Sequence, residues 1–108
     1  MRRLLLSDGE SKVVREILGW LNGLEGARAR KVHPSRYAGA GEPDVDAVVR
    51  GRAVKLEVKA PGASRGATAL QLKRLREWAS AGAVTGVVRS VGDVRELLAR
   101  EGLVEPDV

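Results

Sequence analysis

Cysteine is absent from this chain, phenylalanine is absent too, and histidine occurs once. Without thiols there is neither a disulfide framework nor a thiolate metal site, and His33 alone cannot build a multi-histidine cluster. Any bound metal must therefore be held by oxygen. The aromatic residues are Trp20, Tyr37 and Trp78, too few for a platform that stacks successive bases. No apolar run approaches the roughly 18 residues a membrane-spanning helix needs. Leu4 to Leu6, behind Arg2 and Arg3, fall short of the signal-peptide core of at least about 7 apolar residues. These absences lead us to expect one domain over residues 1–108, soluble and cytoplasmic.

Positive charge is what the chain has in excess. Lysine and arginine total 19 against 14 acids, a net charge of +5. Such a balance suits a polyanionic partner, nucleic acid first, with backbone contacts favoured over base reading. The plain alternative is a surface charge that serves solubility alone.

Hydrophobic periodicity then orders the elements. Residues 7–24 carry Val13, Val14, Ile17, Leu18 and Leu21 at helical spacing, ending at Gly23 and Gly26. Ser7 and Glu10 have the form of a capping box that starts the helix near Asp8. Residues 27–33, ARARKVH, alternate small or apolar with basic side chains, as a strand with one positive face does. The loop 34–43 precedes two strand-like runs, 44–59, around Arg50-Gly51, which read as a hairpin. A glycine-rich loop, 60–67, leads to a helix from Thr68 to about Ala81, with Leu72, Leu75, Trp78 and Ala79 on one face and Gly82 as its stop. A short strand, 83–89, and a helix opened by Ser90 and Asp93 complete the chain. Because each amphipathic element must bury one face, the order implies an α/β domain with a central mixed sheet flanked by helices.

A tight turn at Arg50-Gly51 makes opposed residue numbers sum to 101, which sets Asp44 against Glu57 and Asp46 against Lys55. Alternation then sends Val45, Ala47, Val49, Val54, Leu56 and Val58 to one face, and Asp44, Asp46, Lys55, Glu57 and Lys59 to the other. Two carboxylates with Cβ atoms roughly 5 Å apart destabilise a hairpin unless a cation lies between them. Magnesium accepts one or two carboxylates together with waters and phosphate oxygens. Lys59 would border that ion and stabilise the extra charge on a pentavalent phosphate. The competing reading is an exposed sheet face of alternating acids and bases.

The string Gly41-Glu42-Pro43-Asp44, then Glu57-Val58-Lys59 with Pro61 and Gly62, then Gln71 in the following helix resembles the VRR-NUC domain of the PD-(D/E)xK nuclease superfamily. The likeness spans nearly the whole chain, from Glu10 and Lys31 onward. It implies a restriction-endonuclease-like core, with Asp44, Glu57 and the Val58 carbonyl as ligands to Mg2+ or Mn2+. It implies Lys59 as the catalytic lysine, Glu10 as a further ligand or water-holder, and Gln71 as a catalytic-site residue binding Lys59 or phosphate. Glu10 is equally the capping acid of its own helix, and Gln71 equally a solvated first-turn residue. Lys31, Arg36 and Arg65 are candidates for phosphate contacts, and Asp46 is left to pair with Lys55.

The function expected from the resemblance is a divalent-metal-dependent DNA endonuclease. Branched DNA such as a four-way (Holliday) junction is a plausible substrate for a homodimer carrying two sites. The alternatives are a non-catalytic basic DNA-binding module and a subunit of a repair or packaging complex.

Overall fold

A computed structural model describes residues 8–33 and 39–106. The expected capping residue Ser7, the leucines Leu4 to Leu6 and Arg36 lie outside the described residues. The elements run α1 (Asp8–Asn22), β1 (Ala27–Lys31), β2 (Val45–Val49), β3 (Arg52–Val58), α2 (Ala69–Ser80), β4 (Val84–Val88) and α3 (Val91–Arg100). The strands form one sheet in the order β1-β2-β3-β4. The first three are antiparallel neighbours, and β4 joins β3 in parallel after the α2 crossover, so the sheet is mixed as expected. Among the described residues no helix is long and apolar enough to cross a membrane.

The hairpin turn fixes the rest. Arg50 and Gly51 have φ of 49° and 84°, the two left-handed positions of a type I′ turn, whose twist matches its flanking strands. Pairing follows the expected sum, from Val49↔Arg52 through Asp46↔Lys55 to Val45↔Leu56. Val45, Ala47, Val49, Val54, Leu56 and Val58 are all buried. They pack with Val13, Val14, Ile17 and Leu21 of α1 and with Val94 and Leu98 of α3 in one apolar cluster. Gly86 of β4 faces the same layer, where an added Cβ would stand 2.9 Å from Leu97 Cδ2.

The other face carries α2, which packs on β3 and β4. This helix is less apolar toward the sheet than its spacing suggested: Leu75 is buried, whereas Leu72 and Trp78 remain 40% and 37% exposed. Trp78 has polar work to do. Lys55 Nζ lies 3.8 Å from the ring centroid and the indole N–H donates to Glu42 at 3.0 Å. At its end the Gly82 and Ala83 amides donate to the Ala79 and Trp78 carbonyls, a Schellman closure with Gly82 at φ 105°.

The loop before Asp44 is fastened to α2. Arg74 donates to the Ala40 carbonyl at 3.1 Å and approaches Glu42 at 3.6 Å. Gly41, at φ 81°, lies so near Leu70 that a Cβ would come within 2.7 Å of its Cγ. Gly41→Ala is therefore expected to destabilise the fold by about 1–2 kcal/mol, the left-handed penalty alone, and by more if Leu70 cannot yield. Urea denaturation with an unchanged slope would register it as a shift in midpoint.

Candidate active site

At the open end of the hairpin the chain gathers its unusual charges. One residue beyond the Val45↔Leu56 pair stands Asp44, whose carbonyl accepts from the Val32 amide at 2.8 Å and whose Oδ2 accepts from the Val58 amide at 2.8 Å. The Asp44 carboxylate thus bridges to β3 where the regular ladder stops. Because N–H and C=O of one extended residue point to the same side, the Val58 carbonyl faces this Asp44 edge, while Lys59 N–H donates to Val88 on the β4 side at 3.0 Å.

Glu57 is the only buried polar or charged side chain among the described residues, at 2% exposure. Burial first, and then the neighbouring Asp44 carboxylate through repulsion and a hydrogen bond, push its pKa up to about 8 from an ordinary 4.5. Lys59 opposes the rise and Glu10 adds to it. Lys59 Nζ lies 3.7 Å from Glu57 Oε2, with its own side chain 14% exposed. Glu57 Oε1 is buried without a hydrogen-bond partner. An unpaired carboxylate oxygen beside a second carboxylate is an unfavourable arrangement for a bare protein. It is the arrangement a hard cation relieves, and the donors present (Asp44, Glu57 and the Val58 carbonyl) are all oxygen, the set Mg2+ and Mn2+ prefer.

Asp44, Glu57, Val58 and Lys59 are thus brought together. Glu10, half-buried in the first turn of α1, raises the Glu57 pKa through its charge. Among the described residues no three acidic, histidine or cysteine side chains are grouped to hold one ion. Gln71 stands in the first turn of α2. Its Oε1 accepts from the Thr68 amide at 2.9 Å and its amide donates to Thr68 Oγ1 at 3.1 Å, closing a capping box at the start of α2. Thr68-x-x-Gln71 carries that signal openly in the sequence. Asp46 pairs with Lys55 at 2.6 Å and stays out of the acidic pair, as expected.

Of the basic residues, Arg65 is exposed in the loop after β3. Lys31 is opposite Val45, which puts its side chain on the α1 face rather than the face of Asp44 and Glu57. Sequence reasoning overlooked Arg89, just past β4. Its guanidinium donates to the carbonyls of Ala60 at 2.7 Å, Ala63 at 3.1 Å and Arg65 at 3.2 Å, holding the loop that follows Lys59. Backbone carbonyls leave no signature in sequence, so only the strand-end position of this arginine hinted at a role. Arg89→Ala is expected to lower stability by roughly 2 kcal/mol, given charge-assisted bonds of about 1.5–3 kcal/mol each and partial replacement by water. Limited proteolysis should then cut first between residues 60 and 67.

No protein-family model matches the chain, and no curated protein matches it in sequence. Solved structures do match. A VRR-NUC domain protein superposes with a TM-score of 0.66 over 94% of this chain and 92% of its own, at 20% identity. A VRR-NUC domain superposes with a TM-score of 0.68 over 85% of this chain and 96% of its own, at 26% identity.

Proposed function

We propose that this chain, whose fold matches solved VRR-NUC domain structures, is a divalent-metal-dependent nuclease that hydrolyses phosphodiester bonds in DNA. The observation carrying this reading is Glu57 Oε1, buried and unpartnered beside Asp44. Asp44, Glu57 and the Val58 carbonyl would hold Mg2+ or Mn2+. The bound ion would supply Lewis acidity at the phosphate and acidify a bound water.

The chain's own residues account for the rest of the chemistry. Asp44 is held in place by the Val58 amide, so its second oxygen is oriented without moving the backbone. Lys59, whose Nζ lies 3.7 Å from Glu57 Oε2, presents an ammonium where negative charge develops on the phosphate. Glu10 adds a negative field that favours a cation at the pair, and would serve as a further ligand or hold a water. Gln71 keeps its carboxamide N–H groups for phosphate while its oxygen caps α2. Arg65, exposed in the loop that follows β3, would supply a phosphate contact beside the site. Selectivity for branched DNA follows if two copies place two sites about a two-fold axis.

A labelled four-way junction, a flap, a nicked duplex and a single strand, each incubated with Mg2+, Mn2+ or EDTA, test the reading. Cleavage is expected with metal and wild type only. Intact DNA throughout, in wild type and in Asp44→Ala, Glu57→Ala and Lys59→Ala alike, rejects it; salt-sensitive binding under those conditions identifies a non-catalytic DNA-binding module instead.

A further inference from the structure

The alternation ARARK has a consequence that the metal site does not absorb. Ala27, Ala29 and Lys31 pair with Val49, Ala47 and Val45 of the core-facing row. Arg28 and Arg30 therefore pair with Val48 and Asp46, on the sheet face that also carries Lys55 and Glu57. The helix α2 covers this face over β3 and β4 and leaves β1 and β2 open. The open part is basic and wet: the Arg30 side chain is 80% exposed, Arg28 is exposed, and Val48 is 49% exposed between strands. Asp46, the one acid there among the described residues, is already neutralised by Lys55 at 2.6 Å, leaving a 3.4 Å contact for Arg30. Arg28, Arg30, Asp46 and Val48 line a shallow groove of about 410 Å3.

We propose that this open β1-β2 face is a second contact surface for the nucleic-acid backbone, with Arg28 and Arg30 binding phosphates outside the cleaved position. The proposal rests on the nuclease reading of the adjoining site. Strands lie roughly 4.8 Å apart and residues rise roughly 3.4 Å, so the Arg30 backbone is about 12 Å from that of Glu57 and the Arg28 backbone about 17 Å. A nucleic-acid strand rises about 3.4 Å per nucleotide. That axial rise is the least spacing successive phosphates can have, so one strand with a phosphate at Glu57 and Lys59 brings phosphates at most about three to five nucleotides away over the two arginines. Guanidinium forks suit that target, since they bind phosphate oxygens in pairs.

A second copy of this chain is the less suitable occupant. Strand addition at β1 needs its outward backbone groups, yet the Ala29 N–H and C=O are both taken by the Asn22 side chain, at 2.8 and 3.0 Å. The charge of the face also repels itself across a two-fold axis.

Anisotropy of a labelled duplex in EDTA, titrated with the full chain at several salt concentrations, tests the proposal. Three variants are compared with wild type: Arg28→Gln with Arg30→Gln, Val48→Glu, and a control, Arg15→Gln with Arg100→Gln, that removes the same charge from the opposite layer. The Arg28/Arg30 pair is expected to weaken binding at least tenfold and to flatten the log K against log salt slope by about 1.8, two phosphate contacts at about 0.9 each. Val48→Glu is expected to weaken binding while both arginines stay in the chain, because its carboxylate neutralises its cross-strand partner Arg28 and repels phosphate, and the control is expected to change it little. Equal losses in the control and the Arg28/Arg30 variant overturn the proposal. So does an unchanged affinity in Val48→Glu, or a change of sedimentation with no change in DNA affinity. Cleavage read separately keeps the two readings apart, because metal-dependent cutting with an unaltered Arg28/Arg30 affinity defeats this surface alone.

Discussion

Replacing Glu57 by glutamine is expected to make the metal-free protein more stable at pH 8 than wild type while abolishing DNA cleavage. In the folded chain Glu57 holds its proton up to about pH 8, against 4.5 for the ordinary carboxyl, because burial and Asp44 both oppose its charge. Between those pH values the native state binds more protons than the unfolded state, so stability falls as pH rises. The contribution is full below about pH 4.5 and lost once pH passes about 8. It amounts to a few kcal/mol in order of magnitude. Glutamine has the same shape and no charge, so the variant should lack that decline. Its loss of activity should be at least about 10²-fold, more than the 10- to 100-fold typical of groups that only support a ligand. Thermal melting from pH 5 to 9 in EDTA, beside a cleavage assay, reads both effects. Parallel melting curves for the two proteins would mean that Glu57 is not the group responsible.

Lys59→Ala is expected to separate binding from chemistry. The ammonium is 3.7 Å from Glu57 Oε2 and stabilises its ionised form. Its removal leaves the Asp44, Glu57 and Val58 oxygens in place but takes away the charge that meets the developing phosphate charge. Removing one such electrostatic group commonly costs about 10²–10³ in kcat. Cleavage by Lys59→Ala at saturating metal and DNA should fall by that factor while a divalent ion still binds. Without Lys59 the proton on Glu57 is held more tightly, so the residual activity should need a higher pH than wild type. Lys59→Arg should recover part of the rate by restoring charge, though a planar fork does not copy an ammonium. A Lys59→Ala enzyme that cuts at the wild-type rate removes this residue from the chemistry.

Much of this site was legible because a two-residue turn dictates register. Once Arg50-Gly51 is read as the hairpin tip, period-two alternation assigns Asp44, Glu57 and Lys59 to one face and the valines to the other, and the observed pairing follows that count. What escaped notice are interactions that depend on which elements meet in space. The Arg89 guanidinium serves backbone carbonyls up to 29 residues away. Glu42 is bound by Trp78 from 36 residues away, which makes that tryptophan a polar clamp as well as an apolar one. Glu10 sits at helical spacing for either a cap or a ligand, and only the packing of α1 sets its distance from the acidic pair. Gln71 shows the reverse case: the capping box with Thr68 was written in the sequence, but the polar residue drew attention for its position near the site.

Calorimetric titration of Mn2+ into the metal-free protein at pH 8 tests most directly whether the Asp44–Glu57 pair is a divalent-cation site. Wild type should take up the ion with release of a proton, more strongly at pH 8 than at pH 6, whereas Asp44→Asn and Glu57→Gln should show little or no uptake. Uptake by wild type that both variants reproduce, or no uptake at either pH, would contradict the account.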